Sequence, residues 1–120
     1  MLSVHTDEMN QAASSLYKSV DEGNFHVGGR RNDVNGFGWT DKSEFSYTKW
    51  APNEPSGSWG GVPENCLEIW KDTYWNDIPC GTTNGYVCQV PRQYSNCAGI
   101  FQIFDTYLII KMTFSGTGKR

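Results

Sequence analysis

The chain has 120 residues, a formal net charge of -3 and a sequence pI near 5.2, which suits one small domain with a modest core and leaves no room for a second. The acidic balance argues against a nucleic-acid binder, which needs a clustered Lys/Arg face to displace phosphate counterions, and 19% charged against 38% hydrophobic residues argues against a disordered charged tail. Thirteen glycines beside five tryptophans, six tyrosines and six phenylalanines predict short strands and long ordered loops rather than a helix bundle.

Leu2 to Val4 reads as the end of a strand. Residues 6–21 read as one amphipathic helix, with Thr6 as N-cap and Asp7 and Glu8 where the helix dipole favours negative charge. Met9, Ala12, Ala13, Leu16 and Val20 recur at helical spacing, and Gly23 ends the helix. Phe25 to Gly29 reads as a short strand stopped by its glycines, and Asn35-Gly36 is the strongest hairpin-turn signal. Phe45, Tyr47 and Trp50 follow in a polar background. Ala51 to Asn65 is then a long loop with three prolines and three glycines, a length that in a compact domain is usually functional or disordered. Cys66 to Trp70 alternates as a strand, Trp75-Asn76-Asp77 lies in or just before the next one, and Gly85 to Val90 forms another, stopped by Pro91. Residues 93–120 change character. Ile100 to Phe114 is β-branched and aromatic, and the stretch from Ser115 onward frays. That apolar run contains Asp105 and Lys111 and is shorter than the ~20 residues a membrane span needs.

The four cysteines, Cys66, Cys80, Cys88 and Cys97, include no CxxC pair, and His5 and His26 are far apart, so a structural zinc site is not expected. Four cysteines among turn residues point to disulfides and an extracellular history. The first residues have neither a basic nor an apolar signal region. The expectation is therefore a chain whose signal was removed, or one that begins inside a larger secreted protein.

One set of residues stands out chemically. Glu54-Pro55-Ser56 lies in the long loop, Glu64 at its end, and Asn76-Asp77 in the strand region beyond. These are oxygen donors of mixed kind, the set a hard cation such as calcium takes, with six to eight oxygens at ~2.3–2.6 Å. No Gly-x-Ser-x-Gly nucleophile motif, EF-hand loop or P-loop is present. A hydrolase using Glu54 or Glu64 would further need a second carboxylate held across a cleft.

The order and spacing of several motifs resemble the C-type lectin domain. They are Gly36-Phe37-Gly38-Trp39-Thr40-Asp41, Phe45 to Trp50, Asn53-Glu54-Pro55-Ser56, Glu64-Asn65-Cys66, Trp75-Asn76-Asp77-Ile78-Pro79-Cys80 and Gly85-Tyr86-Val87-Cys88. The resemblance covers roughly residues 1–92, leaving 93–120 as a tail of unknown role. It implies an α+β fold with a long calcium-binding loop, here without the family's first strand and first helix. It also implies a Ca2+ ion held by Glu54, Ser56, Glu64, Asn76 and Asp77, with the same side chains contacting two vicinal hydroxyls of a glycan. Glu54 leans towards the mannose class. Ser56 departs from the family's Asn, and a shorter hydroxyl implies weaker calcium and sugar binding. Trp59 either stacks on a sugar face or packs inward. Arg30 and Arg31 stand where the acidic ligands of the family's auxiliary calcium would lie, which implies that this site is absent. Cys66 and Cys80 match the family's loop-closing disulfide, and Cys88 matches a cysteine whose usual partner is missing. The implied function is a non-enzymatic, calcium-dependent carbohydrate-binding module, secreted or part of an extracellular protein. Calcium-independent recognition of a protein ligand is the alternative. With Val87 to Val90 otherwise left as an exposed edge, the Ile100 to Phe114 stretch is expected to cover it.

Overall fold

The computed structural model describes residues 1–18, 23–33, 36–70, 72–91, 101–104 and 107–112. Val20, Asn35, Cys97 and the stretch from Ser115 onward lie outside the described residues. The helix, α1, runs Asp7–Lys18. Its start is as expected: the Thr6 hydroxyl accepts from the Met9 amide at 3.1 Å and the Thr6 carbonyl from Asn10 at 3.1 Å. Met9, Ala13, Leu16 and Tyr17 turn into the core.

Strand β1, Phe25–Asn32, organises the main sheet. It pairs antiparallel with β2 (Gly36–Trp39) and with β5 (Cys66–Ile69), and parallel with β7 (Gly85–Pro91). β1 thus continues three residues beyond the glycines expected to stop it. Those glycines set spacing instead. A Cβ on Gly29 would meet Leu67 Cδ1 at 2.7 Å, and one on Gly28 would meet the Leu2 carbonyl at 3.0 Å. A register shift between Val27 and Arg30 then re-aims the strand's far half.

Between β2 and β5 the chain forms a separate small hairpin of β3 (Ser58–Trp59) and β4 (Val62–Pro63). β6 (Trp75–Ile78) pairs antiparallel with β5, and β9 (Tyr107–Met112) with both β7 and β8 (Phe101–Phe104). The main sheet is ordered β6-β5-β1-β7-β9-β8, with β2 attached to β1. The apolar stretch after residue 100 covers the edge of β7, as expected, but as two strands.

Trp75 is fully buried at the centre of an aromatic cluster, with the rings of Trp39, Tyr47 and Trp50 each 5.7 Å away and Phe45 at 6.1 Å. Edge-to-face contacts of this kind add to the apolar burial. Its indole N–H donates to Asn10 Oδ1 at 2.8 Å, so the one polar atom of the ring is satisfied. The Trp75 amide donates to Lys49 O and its carbonyl accepts from Ala51, at 2.8 and 2.9 Å. These bonds fix the point from which the long loop departs, directly beside Asn76 and Asp77.

Candidate functional site

The site is made of two halves. One is the β5–β6 hairpin, in which Leu67 faces Asp77 and Glu68 faces Asn76 across the ladder. The Cys66–Cys80 disulfide closes it, as the resemblance implied, spanning 14 residues. The other half is the loop over residues 51–65. The sequence reads it as a long loop, and within it Gly60 and Gly61, both at positive φ, turn the β3–β4 hairpin. Behind that turn the Glu64 amide donates to Gly57 O at 3.0 Å, which brings the two limbs of the loop together.

Asp77 joins the halves. It is fully buried. Its Oδ1 accepts from the Ser56 amide at 2.9 Å, and its Oδ2 from the Gly57 amide and from Arg31 Nη2, both at 2.7 Å. Ser56 Oγ donates to Glu64 Oε1 at 2.8 Å, and Glu64 is itself buried. Glu54 completes the group differently. Its Oε1 is buried without a hydrogen-bond partner. Burial, then the adjacent Asp77 and Glu64 carboxylates, push its carboxyl above the ordinary value, with a Ser56 hydrogen bond partly offsetting them.

Asn76 is oriented from behind. Its Nδ2 donates to Glu68 Oε2 at 2.9 Å, while Trp70 Nε1 donates to the same oxygen at 2.8 Å and Asn84 Nδ2 to Oε1 at 3.0 Å. Glu68 is buried and carries three neutral donors. Sequence reasoning missed this role, although the hairpin register was implicit in the alternation from Cys66 to Trp70. It also missed Arg31 as a partner of Asp77, having noted the residue only as an absent acid.

An open cavity of about 590 Å³ is lined by Glu54, Ser56, Trp59, Glu64, Trp70 and Asn76, among others. Thus five of the six expected ligand-binding residues share one cavity wall, and Asp77 lies buried beneath it. Trp59 does not pack inward: it is 79% exposed. Oxygens of Glu54, Ser56, Glu64 and Asn76 could contribute to holding a hard cation. Among the described residues, no three His, Cys, Asp or Glu side chains are gathered closely enough to form a metal cluster as they stand. Still, the unpartnered Glu54 oxygen and the crowding of carboxylates around it are features a cation would relieve, so the donor set fits one in chemistry.

A family model described as "Lectin C-type domain" matches residues 1–90. Ladderlectin of Oncorhynchus mykiss is 49% identical over 47 residues, covering 38% of this chain and 24% of that protein. Collectin-43 of Bos taurus is 33% identical over 84 residues, covering 67% of this chain and 25% of that protein. The chain therefore spans about a quarter of either relative. Among solved structures, the cow C-type carbohydrate-recognition domain of CD23, determined in the presence of a GlcNAc2Man3 oligosaccharide, superposes with a TM-score of 0.55 at 31% identity, over 67% of this chain and 59% of that one. The C-type lectin CEL-I of Cucumaria echinata superposes with a TM-score of 0.62 over 96% of this chain and 69% of that one. At 22% identity, that likeness speaks for the fold alone.

Proposed function

The chain belongs to the C-type lectin domain family, and from that premise we propose that it is a calcium-dependent carbohydrate-binding module rather than an enzyme. The observation that carries this reading is Glu54: a carboxylate with a buried, unpartnered oxygen, crowded by Asp77 and Glu64, on the wall of an open cavity. When bound, Ca2+ would supply the concentrated positive charge that draws two neutral sugar hydroxyls to the site. The chain's own residues do the rest. Glu54, Glu64 and Ser56 offer oxygens from the loop. Asn76, held at its amide nitrogen by Glu68, offers its carbonyl oxygen from β6. Charge-assisted hydrogen bonds donated by the sugar hydroxyls to the carboxylates select hydroxyl geometry, and Trp59 offers an exposed face beside the cavity. Glu54 supports a mannose-type preference, and Ser56, already engaged with Glu64, supports a weakened one. The disulfide supports a secreted or extracellular setting. No helix among the described residues is long and apolar enough to cross a membrane.

A second reading rests on Asp77. Both of its carboxylate oxygens already accept from N–H groups of the loop and of Arg31, which supports calcium-independent recognition of a protein ligand on the same face, anchored by Trp59 and Val62. Calorimetry separates the two. Calcium is titrated first, then mannose and galactose in its presence. Heat from calcium followed by heat from mannose is expected, and Asn76→Ala should remove both. Absence of calcium heat would overturn the first reading, and calcium heat without sugar heat would reduce the ion to a structural role.

A further inference from the structure

Arg31 reaches from β1 to both β6 and the end of the long loop. Its Nη2 donates to Asp77 Oδ2 at 2.7 Å and to the Glu64 carbonyl at 2.9 Å, and its Nε donates to the same carbonyl at 3.2 Å. Its amide donates to Asn65 O at 2.9 Å. The guanidinium lies over the Phe37 ring, 4.7 Å from the centroid, which fixes its plane from the other side. Asp77 in turn holds the amides of Ser56 and Gly57 at the loop's rising limb, whereas Glu64 ends the falling limb. One cation therefore closes residues 56–64 against the sheet, by taking a carboxylate from one limb's anchor and a carbonyl from the other limb. A planar fork with five fixed donors suits this task, and an ammonium does not.

We propose that Arg31 is a resident cation and the positioning residue of this loop: it neutralises Asp77 and locks residues 56–64 in their folded form whether or not a divalent ion is bound. A metal that draws on Asp77 must then share that carboxylate with Arg31. The proposal does not rest on the glycan reading, because it concerns the shape of the loop rather than what the loop binds.

Amide hydrogen exchange of the whole chain tests it, read at Ser56, Gly57 and Glu64 in excess calcium and in chelator, with the β5–β6 amides as the control for global folding. Wild-type loop amides should be equally protected in both conditions. In chelator, Arg31→Gln should speed their exchange by about tenfold or more while leaving β5 and β6 unchanged. Arg31→Lys, which keeps the charge but loses the fork, should fall between the two. Wild-type loop amides that lose protection in chelator would overturn the proposal. So would an Arg31→Gln loop as protected as wild type, or a lysine variant no better than the glutamine one. If Arg31→Gln also loses the β5–β6 protection, the wild-type comparison and Arg31→Lys decide. Whether calcium binds is read separately by its heat, so failure of the lectin reading stays distinguishable from failure of this one.

Discussion

Glu54 and Asp77 show how differently two neighbouring carboxylates can be treated. Asp77 is supplied with N–H donors on both oxygens. Glu54 keeps one oxygen buried and unpartnered and its carboxyl raised above 4.5. A raised folded-state value means the native chain holds that proton more tightly than the unfolded chain. The associated stability is therefore present at low pH and is lost as pH rises from the unfolded value through the folded one. Glu54→Gln should accordingly raise the melting temperature of the metal-free chain near pH 7 and leave it unchanged near pH 4. Thermal melts in chelator at both values check this, and a lower melting temperature near pH 7 would count against it. The same substitution should weaken calcium binding. The carboxylates of the site were legible in the sequence through their motif spacing. Arg31 and Glu68 were not, because their importance comes from strand register, which brings Glu68 opposite Asn76 and aims Arg31 at Asp77 from a third strand.

The elements divide by whether their signals are local. Helix α1 was legible because an N-cap, a first-turn acidic pair and helical spacing all lie within it. The extent of β1 was not, since two glycines read as a stop when their actual task is to admit Leu67 and the backbone of Leu2. The β3–β4 hairpin did carry a local signal, Gly60-Gly61 between Trp59 and Val62, but the prolines around it suggested only a loop. Because Ser58, Trp59, Val62 and Pro63 are all exposed, Trp59→Ala should change stability by less than about 0.5 kcal/mol. Its effect should fall on ligand affinity, which the sugar titration measures. Loss of stability without loss of sugar heat would mean that Trp59 serves the fold.

At the scale of the molecule, the order β6-β5-β1-β7-β9-β8 joins strands far apart in sequence, and no local pattern encodes such an order. Only the covering of β7 could be argued beforehand, from the rule that an exposed edge is a liability. The cysteine pairing likewise came from resemblance, since four cysteines alone leave three connectivities open. Cys66–Cys80 spans 14 residues, and the chain-entropy model assigns a loop of this size about 3 kcal/mol. The double variant Cys66→Ser/Cys80→Ser should lose about that much in denaturant unfolding, with the midpoint falling and the slope little changed. A loss well below 1 kcal/mol would mean that the β5–β6 hairpin is held by its packing alone.

The disulfide encloses only the β5–β6 half of the site, and the four strand residues of the β3–β4 hairpin are exposed and belong to no part of the buried core cluster. The positions from Ser58 to Pro63 are thus a region where new sequence can be written without rebuilding the sheet beneath. With Ser56, Gly57 and Glu64 kept as clamps at its ends, this stretch is a natural place to randomise in a display library, so that the domain becomes a scaffold for selecting binders to targets of other chemistry.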